Sequence, residues 1–229
     1  MTKLLKISLL LALLFLPQLL IPKDAKDVAL IFKSKGVVAV KKKVTQKWQR
    51  ARRGIRLDSG DKIRTGENSL AAIVFTDDKS LMKIRSRSSV RIQGKREGKS
   101  ISKRIFMALG NAWFKIKRQR SEFRLETPTG VAAVKGTEFY TLVDEDGNMT
   151  VFAVEGIIEL INKYGSVLLR QGEKGYSDGK TPPTSEQTGQ TPQWGHEDEA
   201  PKAGELEIEY EDANGVKKTL RIEYEKNSQ

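Results

Sequence analysis

The chain has 229 residues, 38% of them hydrophobic and 31% charged, and a net charge of +12. That suffices for one sizeable core with appendages and argues against wholesale disorder. With no cysteine, the chain has no disulfide, no thiolate nucleophile, no cysteine-ligated metal, no haem-attachment motif and no lipobox anchor.

Residues 1–25 read as a targeting segment. Lys3 and Lys6 precede an apolar run from Ile7 to Leu16 that continues past Pro17 and Gln18 to Ile21. A basic flank before an apolar run is the pattern of a secretory signal peptide. Small residues at A-x-A spacing are missing, so a retained N-terminal membrane anchor is the alternative. Either way the basic flank stays in the cytoplasm. The rest is then exported and periplasmic or otherwise extracytoplasmic, with membrane contact through the N-terminal segment.

From Val28 onward the pattern predicts an all-β domain over residues 28–177. Val28 to Phe32 is apolar, Val37, Val38 and Val40 follow Gly36, and Ser69 to Phe75 reads SLAAIVF. Met82, Ile84, Val90 and Ile92 resume the alternation after a polar turn at 76–80. Such runs between Gly, Asp, Asn and Ser predict antiparallel hairpins, sandwich-like or solenoid-like in arrangement. Lys103 to Leu109 is the best helical candidate. The plan recurs 68 residues later: Arg56-Leu57-Asp58-Ser59 matches Arg124-Leu125-Glu126-Thr127, and Leu81, Ile84, Val90 and Ile92 fall on Met149, Phe152, Ile158 and Leu160. Two similar β units that bury their apolar faces against each other are therefore predicted.

Charge is distributed unevenly. Residues 26–180 hold 33 Lys and Arg against 17 Asp and Glu, a net +16, and residues 181–229 hold 5 against 11, a net −6. Lys41 to Arg56 packs eight cations into sixteen positions around Trp48. Lys83, Arg85, Arg87 and Arg91 recur at even spacing, and Lys115 and Lys117 alternate with Phe114 and Ile116. On a strand, even spacing places side chains on one face. A basic sheet face is thus predicted at Lys83, Arg85, Arg87 and Arg91, either solvated or paired with the chain's own acidic tail, or else open to an anionic partner. Export favours lipid head groups or acidic glycans over nucleic acid.

Residues 181–204 have the Pro, Gly, Thr, Gln and acid content of a flexible linker. The one histidine, His196, lies inside it and has no evident catalytic or metal partners. Residues 205–229 form a predicted acidic hairpin tail. Leu206, Ile208 and Tyr210 alternate with Glu205, Glu207, Glu209 and Glu211, Asn214-Gly215 makes the turn, and Leu220, Ile222 and Tyr224 return. Its apolar side is expected to dock on the β body, with its acidic side tempering the basic face. Asp144 to Asn148 reads as a hairpin turn; it lacks the closing Glu of a calcium loop. Asn148-Met149-Thr150 is a formal glycosylation sequon. No catalytic, cofactor or metal constellation assembles, so the chain reads as a non-enzyme.

Residues 125–160, LETPTGVAAVKGTEFYTLVDEDGNMTVFAVEGIIEL, resemble the signature of the FecR-like domain family. The matching residues are Thr127, Pro128, Val131, Val134, Gly136, Thr137, Phe139, Asp146, Glu155 and Gly156. Lys135 stands where the family usually has Arg. Upstream, Leu57, Gly60, Asp61, Ile63, Thr65 and Gly66 look like the family's leucine-x-x-glycine-aspartate element, with Trp48 before it. Physically, Pro128 suits a strand start, Gly136 a close approach or positive φ, and Phe139 the core, so the signature reads as fold-specifying. The resemblance implies an all-β domain on the outer side of a membrane. The family's best-known members regulate sigma factors through a cytoplasmic domain ahead of a membrane span. Here six residues precede the apolar run, so that part is not expected. Two roles follow: an envelope interaction or scaffolding module that binds an envelope protein or anionic component, or an extracytoplasmic sensory and regulatory component of a signalling pathway.

Overall fold

A computed structural model describes residues 27–118 and 121–195, and the backbone of 205–211 and 217–223. The N-terminal segment, His196 and the turn expected at 212–215 lie outside the described residues. No helix among the described residues is long and apolar enough to cross a membrane. Every regular element among the described residues is a strand.

Strands β1 (Asp27–Lys35), β2 (Val38–Lys41), β3 (Trp48–Arg50), β4 (Arg56–Asp58), β5 (Lys62–Thr65), β6 (Leu70–Phe75), β7 (Leu81–Ile84) and β8 (Ser89–Glu97) precede the 16-residue β9 (Ser100–Lys115). After it come β10 (Phe123–Glu126), β11 (Val131–Val134), β12 (Glu138–Val143), β13 (Met149–Glu155), β14 (Ile158–Asn162), β15 (Gly165–Leu169), β16 (Glu173–Ser177) and β17 (Thr184–Gln187). They form one continuous 17-stranded sheet folded into two layers. The first layer runs β4-β1-β6-β7-β9-β12-β13-β16-β17. The second runs β3-β2-β5-β8-β9-β10-β11-β14-β15. All pairings are antiparallel except β9 with β10.

The expected helix at Lys103–Leu109 is part of β9. Burial there alternates with period two: Lys103, Ile105 and Met107 point inward, as a strand requires. β9 pairs in the second layer through Leu109 and in the first from Gly110 onward. Gly110 makes the bend with φ +111, and a Cβ there would lie 2.1 Å from Ser88 Oγ. That conformation and that closeness both call for glycine.

The duplication is visible as matching pairings. β1·β6, β6·β7 and β7·β9 in the first unit correspond to β9·β12, β12·β13 and β13·β16 in the second. In the other layer β2·β5, β5·β8 and β8·β9 correspond to β10·β11, β11·β14 and β14·β15. The constant 68-residue offset needs two corrections. The segment Arg124–Thr127 takes the place of β2, whereas Arg56–Asp58 belongs to an insertion that carries β3 and β4. The turn before β13 is one residue longer, so Met82 stands opposite Ile73 where Val151 stands opposite Thr141. Leu81 therefore faces outward while Met149 faces the core.

The core lies between the layers. Phe114 stacks on Phe139 at 4.7 Å and meets Phe123 edge-on at 5.8 Å, and Phe123 meets Phe75 at 5.9 Å. This aromatic chain joins the units into one core. Lys103, fully buried, closes the end of the sandwich, with its Nζ 2.8 Å from Asp77 and 2.8 Å from Asp78 in the β6–β7 turn.

The residues after 180 depart from a free linker. β17 pairs with β16, and Trp194 is buried against the first layer. The tail forms the expected hairpin, β18 (Glu205–Glu211) with β19 (Lys217–Glu223), in a two-stranded sheet. Its side chains lie outside the described residues.

Candidate functional site

The four cations expected on one face are split by the turn at 85–88, which carries the chain from the first layer to the second. Lys83 ends up on the outer side of the first layer and Arg91 on β8 in the second. Arg87 sits in the turn with φ +54, its Nη2 donating to Glu67. Arg91 lies over Phe106 at 5.1 Å. Even spacing fails here because the alternation restarts after the turn. Lys83 and Arg85 do come together, at an aromatic cluster. Lys83 Nζ lies 5.3 Å above the Trp113 ring and donates to the Gly195 carbonyl. The Arg85 guanidinium lies 4.8 Å above Trp194. Tyr140 meets Trp194 at 5.4 Å, and its hydroxyl donates to the Trp194 carbonyl. Trp113 Nε1 donates to Glu138 at 3.1 Å, and Lys115 stands 3.8 Å from the same carboxylate.

The stronger cationic feature comes from the insertion between β2 and β5. An open cleft of about 740 Å³ is lined by Phe32, Lys33, Arg50, Arg52 and Arg53 among others, and no carboxylate lines it. Arg53 stacks over Phe32 at 5.3 Å. Lys33 also lines a second depression of about 640 Å³ that reaches Lys35 and Arg85. A basic track therefore runs from the insertion to the edge of the aromatic cluster. The charge belongs to one unit: residues 27–118 hold 25 Lys and Arg against 7 Asp and Glu, a net +18, while residues 121–180 hold 6 against 10, a net −4.

Asp61 anchors the insertion. This buried carboxylate accepts from Lys42 Nζ, from the Lys43 amide at 2.8 Å and from the Asp58 amide at 2.9 Å. Burial pulls the Lys42 ammonium down, but hydrogen bonds and charge from Asp58 and Asp61 outweigh it and hold its pKa above the ordinary lysine value.

Residues 61–159 match the family model described as FecR protein. That stretch is a FecR domain. It takes in β5 to β13 and the start of β14, and so draws on both units. Two crystal structures, at 2.50 and 1.65 Å resolution, of a candidate anti-sigma factor from Parabacteroides distasonis ATCC 8503 are also similar. Each gives a TM-score of 0.48 at 17% identity, over 56% of this chain and 59% of that one. The chain thus spans little more than half the length of that protein. No curated protein matches it.

Within the FecR domain the signature residues meet at turns and in the core. Thr127 and Gly130 close the β10–β11 turn through a 2.9 Å main-chain bond, and Pro128 packs beneath Gly147 of the β12–β13 turn. Val131 is half-buried and Val134 buried on β11, and Lys135 is exposed. Gly136 has φ +72 against the Arg118 backbone. A Cβ on Gly156, itself at φ +84, would lie 2.8 Å from the Gly136 carbonyl. These two glycines meet beside the β-bulge at Glu138/Phe139. Thr137 is buried, and its carbonyl accepts from Ile116 at 2.8 Å. Phe139 is fully buried on Phe114. Sequence reasoning missed Lys103, Trp113, Tyr140 and Trp194. The one available signal was a tryptophan stranded in a polar, linker-like stretch.

Proposed function

We propose that the protein is a non-enzymatic, extracytoplasmic binding module whose first unit engages an anionic component of the cell envelope, a lipid head group or an acidic glycan. The observation that carries this reading is the cleft of Lys33, Arg50, Arg52 and Arg53, continued by Lys33 and Lys35 to Arg85, on a unit of net +18. Arginines suit this task because their planar guanidinium groups bind carboxylates and phosphates through paired hydrogen bonds. An open cleft lets a polymer or a membrane surface pass across it.

The experiment is binding of the full chain to phosphatidylglycerol vesicles and to an acidic polysaccharide, with and without the triple change Arg50→Ala, Arg52→Ala, Arg53→Ala. Losing three surface cations should cost about 3 kcal/mol, roughly a hundredfold, on an anionic membrane. Binding should also weaken above ~0.15 M salt, where the screening length falls to about 8 Å. Vesicle binding without polysaccharide binding assigns the lipid, and the reverse assigns the glycan. Unchanged affinity for both in the triple variant refutes the reading. The FecR match supports a second reading, a sensory or regulatory component of a signalling pathway, in which occupancy of the first unit is the signal.

A further inference from the structure

The outer side of the first layer carries a lateral row of side chains in register. Ala72 stands opposite Lys83, Lys83 opposite Trp113, Trp113 opposite Tyr140 and Tyr140 opposite Phe152. Trp113 and Tyr140 belong to neighbouring strands at the junction of the two units, and Leu81, Phe152 and Val154 pack around them. This apolar row is covered by the chain's own residues 188–195, which leave the edge strand β17 and end with Trp194 and Gly195 on the row.

The manner of covering is informative. The hydrogen bonds from Tyr140 Oη and Lys83 Nζ go to the main-chain carbonyls of Trp194 and Gly195. Such bonds recognise the backbone and not a particular side chain. The side chain that is read is the indole, held edge-on by Tyr140 and capped by Arg85. Gly195 has φ +103, and a Cβ there would stand 2.8 Å from the Trp113 ring, so the position after the tryptophan is read as glycine. The segment leading up to it is polar and is tied to the body at its start: the Thr188 amide donates to the Gly172 carbonyl at 2.9 Å, after which Thr188 and Gln190 bond each other and Gln193 bonds Thr191. Beyond Gly195 the sequence reads His196-Glu197-Asp198-Glu199, and the chain leaves beside Lys83 and Arg85, where the basic track ends.

We propose that this row is a peptide-recognition slot for a segment of a partner protein in which Trp-Gly is followed by acidic residues, with residues 188–195 as its built-in, displaceable occupant. The contacts that hold the strap in cis are available unchanged to a segment arriving in trans. The acidic run after Trp-Gly matches a first unit of net +18. A tethered occupant competes at high effective concentration, so a free peptide meets a slot that is open only part of the time and its apparent affinity is reduced by that fraction.

The test uses a fluorescent peptide with the sequence of residues 188–200 and the full chain, read by anisotropy. Two variants open the slot in different ways. Trp194→Ala removes the anchor, and Gly195→Val retains it but drives a side chain into Trp113. Both should bind the peptide at least about tenfold more tightly than the unaltered chain. A peptide with alanine for its tryptophan should not bind. A peptide with glutamine for its three acidic residues should bind more weakly and lose its salt dependence. Indole-dependent binding should survive the triple alanine change in the cleft, which separates this slot from the anion reading. The proposal fails if both variants stay folded by thermal melt and bind no better than the unaltered chain. It fails also if both unfold, since the strap would then be part of the core. A dimer of the unaltered chain that the peptide dissolves would make the occupant a second copy and overturn the assignment to another protein.

Discussion

The two β units share a strand plan and differ in almost everything that faces outward. Between β2 and β5 the first unit inserts residues 42–61, with two extra strands and a run of cations, where the second unit joins β10 to β11 through four residues, 127–130. The first unit is strongly cationic and the second mildly acidic. Their β6–β7 and β12–β13 turns also differ. Asp77 and Asp78 are clamped by buried Lys103, whereas Asp144 turns outward and is satisfied locally by Asn148. Inward-facing positions are held to one pattern by the shared core, and outward-facing ones are free to specialise. The basic cleft accordingly sits on the first unit, and the aromatic row at the junction.

The largest expected effect tests whether the comparison concerns two units of one core. Phe139→Ala and Phe75→Ala should each cost about 3–5 kcal/mol in urea unfolding, and each should shift a single transition. Two separate transitions would mean that the units fold independently. Next is the turn contrast. Lys103→Met strips two carboxylates of their buried partner and should cost about 3–5 kcal/mol, while Asp146→Asn in the counterpart turn should stay within about 0.5 kcal/mol. Equal effects would erase the distinction between the turns. The glycines at corresponding bends give a smaller contrast. Gly172→Ala, at φ +82 where a Cβ would make only an ordinary 3.7 Å contact with the Gln187 side chain, should cost only the left-handed conformation, about 1–2 kcal/mol. Gly110→Ala adds the collision with Ser88 and should cost more in the same melt.

The smallest effects come with pH and have opposite signs in the two units. The Lys42 ammonium is raised, so its cross-link from the insertion to Asp58 and Asp61 is whole below pH 10.5 and lost as pH rises through the raised value. The hydrogen bond from Asn148 lowers the Asp144 carboxyl, so its contribution is present above pH 3.8 and lost as pH falls through the lowered value. Hydrogen exchange should therefore quicken first around residues 42–61 in alkali and around 144–148 in acid. The reverse order would contradict both assignments.

Most of the strand plan was legible because Val38/Val40, Ser69–Phe75 and Met149–Ala153 alternate or run apolar between turn residues. The duplication was legible in the recurring alternation of the strands, and its register slipped where the longer turn before β13 changes the phase. β9 was hidden because a fully buried lysine looks polar in a sequence. What hides its cost is an ion pair with Asp77 and Asp78, more than twenty residues away. The FecR elements were readable as residue types, whereas the close approach of Gly136 to Gly156 needed coordinates. The basic face was misread because even spacing has meaning only within one strand. Composition alone could not place Trp194, whose partners at Arg85, Trp113 and Tyr140 are 54 or more residues away.

The pairing plan carries an implication for how such an array stops. The far half of β9 ends the first unit and serves as the opening strand of the second, through its pairing with β12. β16 occupies the equivalent position at the end of the second unit, so its outer edge is a template on which a third unit, or the edge of another molecule, could grow. β17 is what lies there instead: four residues, Thr184-Ser185-Glu186-Gln187, with every side chain exposed and Glu186 paired to Lys174. A short, polar, charged strand is how repeat proteins terminate and how open sheets avoid fibrous association. The segment that supplies this stop also carries the tryptophan strap, so pulling the strap far enough to free β17 would turn a closed end into a sticky one.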